Sequence, residues 1–428
     1  MRGKSRTTGR EGRRIVRFEP NLQRIERDIL ALAHLTSPKE VGYTRLSFTE
    51  EDRKARDYVA RLMKDEARLS VRIDPVGNLI GRRQGRREGP SLLLGSHLDT
   101  VRGGGRFDGV SGVVAAIEVV RRFTEKGVEN VHPIEIVAFL AEEPSSFGLS
   151  TIGSRGMAGK LTPERIESLR DETGRTLGEA IREAGGDPSR LDEARRSSAD
   201  VLSYLELHIE QGPCLDSQQI PIGVVTGIAG IVRGKTEVIG RSDHSGTTPM
   251  DARKDALAAG AEAVLSLERV CRKWAGVVGT VGSIDLFPNA TNVVPGRMTL
   301  YWEVRSLRED LLALAVSSYE KELRRIREER GVEILFESAM SSDPIAFDPA
   351  LVERIAGVCE RLGIPHIQLA SGAGHDASHV ATIAPTAMIF IPSKDGRSHC
   401  PEEWTDIEHI GLGTEVLACT TMELDRDG

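Results

Sequence analysis

Residues 91–112 read "SLLLGSHLDTVRGGGRFDGVSG". The apolar run at 91–94 is typical of a buried strand, and His97, Asp99 and Asp108 follow where the chain leaves it. Aspartate and glycine are also ordinary turn residues, and a lone histidine at a strand end is usually only hydrogen-bonded. The stretch alone therefore supports a simple turn and a functional site about equally, and the rest of the chain must decide between them.

The composition excludes several classes of protein. The chain has 428 residues, of which 39% are hydrophobic, enough for two or three domains with an apolar core. Its formal net charge of -7 does not suggest a nucleic-acid partner. No segment approaches the ~20 apolar residues that a membrane span requires. We therefore expect neither a nucleic-acid nor a membrane partner.

The termini and cysteines indicate a cytoplasmic protein. Residues 1–19 are predicted to form a disordered basic tail, which lacks the apolar segment of a secretory signal. The five cysteines are odd in number and show no CxxC spacing. That pattern favours reduced thiols over a disulfide framework.

Hydrophobic patterning predicts two interleaved domains. Apolar strands such as "PIEIVAFL" alternate with helical patterns over 20–227 and again over 341–428. This alternation indicates an α/β catalytic domain with a central, mainly parallel sheet. Between them, 228–340 shows the order βαββαβ, which predicts an inserted ferredoxin-like α+β domain.

Histidines and acids recur at the ends of apolar strands. Besides His97 and Asp108, these are Glu142, Glu143, His208 and His399. Ligands in α/β sheets bind at the carboxyl ends of strands, so these groups could converge. Three histidines with carboxylates suit zinc or manganese.

The adjacent acids Glu142 and Glu143 indicate a division of labour. Neighbouring side chains of an extended segment point apart, so one can bind metal while the other remains a free general base. Asp99 lies two residues after His97 and is expected to orient that imidazole through its carboxylate.

Several motifs together resemble the dinuclear zinc amidohydrolases of the aminoacylase and carboxypeptidase clan, and within it the N-carbamoyl-L-amino-acid hydrolase and allantoate amidohydrolase family. They are "GSHLDTV", "GRFDGVSGV", "AEE", "ELHIEQGP" and "GRSHCPEEW". His208 stands where the clan's peptidases usually have an acidic ligand, which favours this branch.

The resemblance implies roles for individual residues. One metal ion would be held by His97, Asp108 and His208. The other would be held by Asp108, Glu143 and His399, with Glu142 as the base. His244, in "GRSDHSGTTPMDARKDA", would act on the tetrahedral intermediate. The substrate contacts would be Arg233, Asn292, Arg305, Gln211, Gly374 and His375. The inserted domain would form a homodimer and cover the site as a lid.

The expected reaction is hydrolysis of the linear ureido C–N bond of an N-carbamoyl-L-amino acid with two divalent ions per chain, zinc or manganese, cobalt or nickel. Allantoate is the alternative substrate. An aminoacylase or dipeptidase activity fits His208 less well, and a non-catalytic metal site would have no use for a free base at Glu142. Cys400 beside His399 could suggest a thiol nucleophile, but a metal-ligating neighbour argues against it.

Overall fold

The computed structural model describes residues 17–427. The chain divides into two compact units. The first runs to residue 225 and resumes at 348–369 and from 375 onward, and the second comprises 226–347 with 370–374. The predicted insertion, 228–340, lies within the second unit. Among the described residues, every helix is too short or too polar to cross a lipid bilayer.

The strands and helices are numbered here in chain order. The strands are β1 (Ser70–Ile73), β2 (Leu79–Arg83), β3 (Ser91–His97), β4 (Ile134–Phe139), β5 (Val201–Ile209), β6 (Ile222–Ile228), β7 (Gly230–Ile239), β8 (Asp243–His244), β9 (Val278–Phe287), β10 (Val293–Val294), β11 (Arg297–Ser306), β12 (Glu333–Ser342), β13 (Ile345–Ala346), β14 (His366–Ser371) and β15 (Thr386–Ile391). The α-helices are α1 (Leu22–Ala33), α2 (Glu50–Arg61), α3 (Val110–Glu125), α4 (Ile152–Met157), α5 (Pro163–Ser168), α6 (Leu177–Glu183), α7 (Cys214–Gln218), α8 (Ala256–Cys271), α9 (Glu309–Arg330), α10 (Pro349–Leu362), α11 (Ala377–Val380) and α12 (Ile407–Asp427).

The first unit is built on a sheet with the strand order β1-β2-β4-β3-β5-β15-β6. The four central strands, β4, β3, β5 and β15, are parallel to one another, and the flanking strands pair antiparallel. Every residue of β3, β4 and β15 is buried, as parallel strands covered on both faces must be. The predicted α/β class with a central, mainly parallel sheet is confirmed.

The N-terminal segment joins the core earlier than the sequence suggested. Residues 1–16 of the predicted tail lie outside the described residues. Phe18 is buried, and its ring lies edge-on to Phe123 with centroids 4.9 Å apart. The predicted tail boundary at residue 19 is therefore too late, because the apolar ring of Phe18 is stabilised by burial. The first helix, α1, begins after Asn21, whose side chain caps it by accepting from the Arg24 amide.

The second unit has the topology of a ferredoxin-like fold. Its four long strands pair antiparallel in the order β12-β7-β11-β9, and α8 and α9 follow β7 and β11 in the chain. Alternate residues of β11, among them Leu300, Trp302 and Val304, are buried in the core that these helices complete. Their neighbours Tyr301, Glu303 and Arg305 project from the opposite face of the sheet.

Candidate active site

The predicted site residues of the first unit come together at the carboxyl ends of the parallel strands. His97 is the last residue of β3, and His208 is the next-to-last residue of β5. Glu142 and Glu143 follow β4, and His399 follows β15. Asp108 lies in the loop before α3. The sheet thus positions side chains that are up to about 300 residues apart in sequence.

Asp108 lies between two groups of ligand-type atoms. Its Oδ1 is 3.4 Å from Nε2 of His97 and 3.1 Å from Nε2 of His208. Its Oδ2 is 3.3 Å from Nε2 of His399, which is in turn 3.3 Å from Oε1 of Glu143. In each group the ligand atoms lie within 4.8 Å of one another. These are the two ligand sets that the resemblance implied.

The tautomers of the buried imidazoles show that a cation fits the first group. Nδ1 of His97 donates to the backbone oxygen of Asp99 at 3.0 Å, and Nδ1 of His208 donates to that of Ile209 at 2.8 Å. In the neutral rings, both Nε2 atoms are then acceptors that face the carboxylate of Asp108. Acceptors packed this closely in a buried site need a proton or a cation between them. Nitrogen and oxygen donors of this kind suit a divalent metal.

The charges within the site reflect this crowding. Burial would raise the pKa of Asp108, but His208 and the other two imidazoles hold it well below its ordinary value. Hydrogen bonds to Asp108 and Glu143 raise the pKa of His399 to about 10. The carboxylates thus stabilise positive charge in their immediate surroundings.

Asp99 acts differently from the expectation. Its carboxylate Oδ1 is 3.7 Å from Nδ1 of His97, so the close contact to the ring is made by its backbone oxygen instead. The carboxylate accepts from the amides of Glu142 at 3.2 Å and Glu143 at 3.1 Å. The hydrogen bond to the ring therefore comes from the backbone of Asp99, while the two amides after β4 hold its carboxylate. Burial raises its pKa to about 7.

Glu142 lies inside the site but outside both ligand groups. Its Oε2 is 3.8 Å from Nε2 of His97, and the residue is 8% exposed. Burial raises the pKa of Glu142 well above its ordinary value, although His97 opposes the shift. A carboxylate whose pKa is raised in this way is suited to accept a proton during a reaction.

Glu403 is a buried component of the site that sequence reasoning missed. Its Oε1 accepts from the amides of Phe107 at 2.9 Å and Asp108 at 3.1 Å, and its Oε2 accepts from the hydroxyl of Ser398 at 2.7 Å. A Cβ at position 105 would lie 2.1 Å from this carboxylate, so Gly105 makes room for it. Glu403 thereby connects the loop of Asp108 to the loop of His399.

Two of the predicted substrate contacts in the first unit lie against the predicted metal ligands. Nε2 of Gln211 donates to Oδ2 of Asp108 at 2.7 Å and lies 3.2 Å from Nε2 of His399. His375 is buried with its ring centroid 4.5 Å from that of His208, and burial lowers its pKa well below the ordinary value. Burial thus disfavours the charged form of His375.

Four of the five remaining predicted residues form two groups within the second unit. His244 and Asn292 lie together, because β8 pairs with β10 and the amide of Ser245 donates to the backbone oxygen of Asn292. Arg233 and Arg305 lie on neighbouring strands, β7 and β11. Gly374 belongs to the second unit, in the 370–374 segment.

Comparison with known proteins identifies the class to which this fold and site belong. Residues 93–423 match peptidase family M20/M25/M40, and the chain belongs to this family.

Its relatives narrow the class further, to amidohydrolases. The chain is 41% identical over 403 residues to an N-carbamoyl-L-amino acid amidohydrolase of Geobacillus stearothermophilus, covering 94% of this chain and 98% of that protein. It is 33% identical over 404 residues to an allantoate amidohydrolase of Escherichia coli, with the same coverage of 94% and 98%. A crystal structure of a hydantoinase/carbamoylase family amidase from Burkholderia multivorans superposes with a TM-score of 0.87 at 35% identity, covering 95% of this chain and 98% of that one.

Proposed function

We propose that the protein hydrolyses the linear ureido C–N bond of N-carbamoyl-L-amino acids, giving the amino acid, carbon dioxide and ammonia. The observation that carries the proposal is the pair of ligand groups that share Asp108, with Glu142 beside them but outside both. The similarity to curated N-carbamoyl-L-amino-acid amidohydrolases supports the substrate class.

The proposed cofactor is a pair of divalent ions, zinc or one of manganese, cobalt and nickel. His97 and His208 would hold one ion, Glu143 and His399 the other, and Asp108 would bridge them. Bound there, the ions would lower the pKa of a water molecule and polarise the carbonyl oxygen of the substrate. Metal analysis of the reloaded protein is expected to give two ions per chain, and a single ion would contradict this assignment.

The proton transfer is assigned to Glu142. In the proposed mechanism it takes the proton of the attacking water and passes it to the leaving nitrogen. Its burial favours this role, because a raised pKa makes the carboxylate a stronger base toward the attacking water. Asp99 supports it indirectly by fixing the backbone amides of Glu142 and Glu143.

His244 is proposed to stabilise the oxyanion that forms on the substrate. The amide of Gly246 donates to its Nδ1 at 3.0 Å. In the neutral ring the proton then lies on Nε2, which makes this exposed side of the imidazole a hydrogen-bond donor. A donor is the group that a developing negative charge requires.

We propose that the protein recognises its substrate through the carboxylate of the ureido acid. Arg305 is proposed to bind it through its planar guanidinium group, with Arg233 and Asn292 as further contacts. Gln211, Gly374 and His375 are proposed to contact the ureido end.

Allantoate is the second candidate substrate, since it also carries a carboxylate and since the chain resembles an allantoate amidohydrolase. Ammonia release should be assayed with a panel of N-carbamoyl-L-amino acids, allantoate, N-acyl amino acids and dipeptides. We expect the carbamoyl amino acids to be the best substrates. Faster turnover of allantoate would reverse the order of the two candidates.

The second unit is proposed to form a homodimer. Its edge strand β9 exposes large apolar side chains, including Val278 at 61% and Phe287 at 59%. Pairing across a twofold axis would cover such an edge. Light scattering that gives a monomer at micromolar concentration would contradict this. A cytoplasmic location is proposed because the five cysteines, each within the described residues, form no disulfide.

A further inference from the structure

Glu303 contacts both arginines that the proposed function assigns to the substrate carboxylate. It lies opposite Arg233 in the pairing of β11 with β7, and it precedes Arg305 by two residues on β11. All three side chains therefore project from the same face of the sheet, which is the face away from the core of the second unit. Oε2 of Glu303 accepts from Nε of Arg233 at 3.3 Å.

The contacts of Arg305 fix the plane of its guanidinium group. Nε and Nη2 lie 2.7 and 2.6 Å from Oε1 of Glu303, and Nη1 donates to the backbone oxygen of Gly372 at 2.7 Å. A guanidinium group has five N–H donors, and these contacts use three of them. The two that remain are one on each terminal nitrogen, so both terminal nitrogens keep a donor for a carboxylate.

The charge of Glu303 also fits this arrangement. Two arginines on adjacent strands repel each other when no anion lies between them. With Glu303 in place the three side chains carry a net charge of +1, which one substrate carboxylate neutralises. Glu303 is partly buried and lies outside the hydrophobic core, so its contacts serve the arginines and not the packing of the unit.

We propose that Glu303 is a positioning residue that orients Arg305 for binding of the substrate's carboxylate and thereby sets the preference for ureido acids over their neutral amides. This inference rests on the proposed function, because it takes Arg305 to be the group that contacts the substrate.

The test compares an N-carbamoyl-L-amino acid with its carboxamide analogue in two measurements. The first is kcat and KM of the metal-loaded protein. The second is the Kd of each compound, measured by calorimetry in a Glu142→Gln background in which turnover is prevented. The variants are Glu303→Ala and Glu303→Gln. Glu237→Ala is the matched control, because Glu237 lies on the same face of β7 but pairs with Lys235 and Arg297 instead.

Glu303→Ala is expected to raise KM and Kd for the acid about tenfold, as the loss of one charge-assisted hydrogen bond would. The kcat should change much less, and the carboxamide should be unaffected. Glu303→Gln retains one acceptor oxygen and should fall between wild type and Glu303→Ala.

Unchanged binding of the acid by Glu303→Ala would overturn the proposal. So would an equal loss for acid and carboxamide, or an equal effect of Glu237→Ala, since both indicate general disruption of the unit. If the wild-type protein releases ammonia from no ureido acid, the proposed function fails. The calorimetric comparison still decides the role of Glu303 in that case.

Discussion

Replacing Glu403 tests whether the proposed metal centre depends on a residue that lies outside both proposed ligand groups. Glu403→Ala removes the acceptor for the amides of Phe107 and Asp108, both of which are buried with it. A buried donor without a partner costs roughly 1–3 kcal/mol, so two amides together cost roughly 2–6 kcal/mol. Because one of them is the amide of Asp108 itself, we expect its carboxylate to shift.

The expected consequence is weaker metal binding. Loss of a group that orients a ligand typically lowers metal affinity about 10–100-fold. Chelator competition measures that affinity, and denaturant unfolding of the loaded protein measures stability. Glu403→Gln keeps one acceptor oxygen and serves as the milder variant if the alanine protein does not fold.

The neighbouring residue provides the control. Glu402 is exposed and pairs with Arg397 at 2.9 Å, so Glu402→Ala should change neither quantity. Wild-type metal affinity in both Glu403 variants would refute the reasoning. Equal effects of Glu402→Ala and Glu403→Ala would refute it as well.

Three other predictions follow from the described contacts. Glu142→Gln should retain both ions but lose about 10²–10⁴-fold in kcat, whereas Glu143→Gln should lose metal. Metal analysis and kinetics of both variants test this, and identical behaviour of the two would contradict the assigned roles. Arg305→Lys keeps the charge but not the planar fork, so kcat/KM for the acid should fall toward that for the carboxamide; retention of the full preference would point to Arg233. Burial, with Arg155 and Lys160, lowers the pKa of His379 from 6.5 to about 3. Between pH 6.5 and about 3, the unfolded chain therefore binds a proton at this histidine that the folded chain does not bind. As a result, the free energy of unfolding should decrease as pH falls below 6.5. His379→Gln should show a smaller decrease between pH 7 and 5, and equal slopes for the two proteins would contradict this.

Some parts of the site could be predicted from the sequence. These are the parts that depend on hydrophobic periodicity and on where strands end. The apolar run before His97 and the helical pattern after Asp108 indicate a strand and a helix, and a sheet that joins them fixes where the ligands meet. The glycines of the opening stretch have a structural reason as well. Gly109 has φ of +64°, and a Cβ there would lie 2.4 Å from the ring of His97.

The contacts that depend on tertiary structure could not be predicted. Glu402 and Glu403 are identical neighbours in "PEEW", yet one is exposed and the other is 2% exposed. Nothing local distinguishes them, because the amides that bind Glu403 lie almost 300 residues earlier. The partners of the Asp99 carboxylate could not be predicted for the same reason, since they follow a different strand. The contacts of Glu303 could not be predicted either, because they depend on the register of β7 against β11.

The position of the second unit within the chain has a consequence for synthesis on the ribosome. Strand β5 pairs with β15, which begins about 180 residues after β5 ends. At ~5–20 residues per second, β15 emerges roughly 10–35 s after β5. The residues 226–347 are contiguous and emerge within that interval, so the second unit has time to fold first. Until then the nascent chain carries the apolar edge of β5 without its final neighbour, and a chaperone that binds nascent chains would meet that edge during this interval.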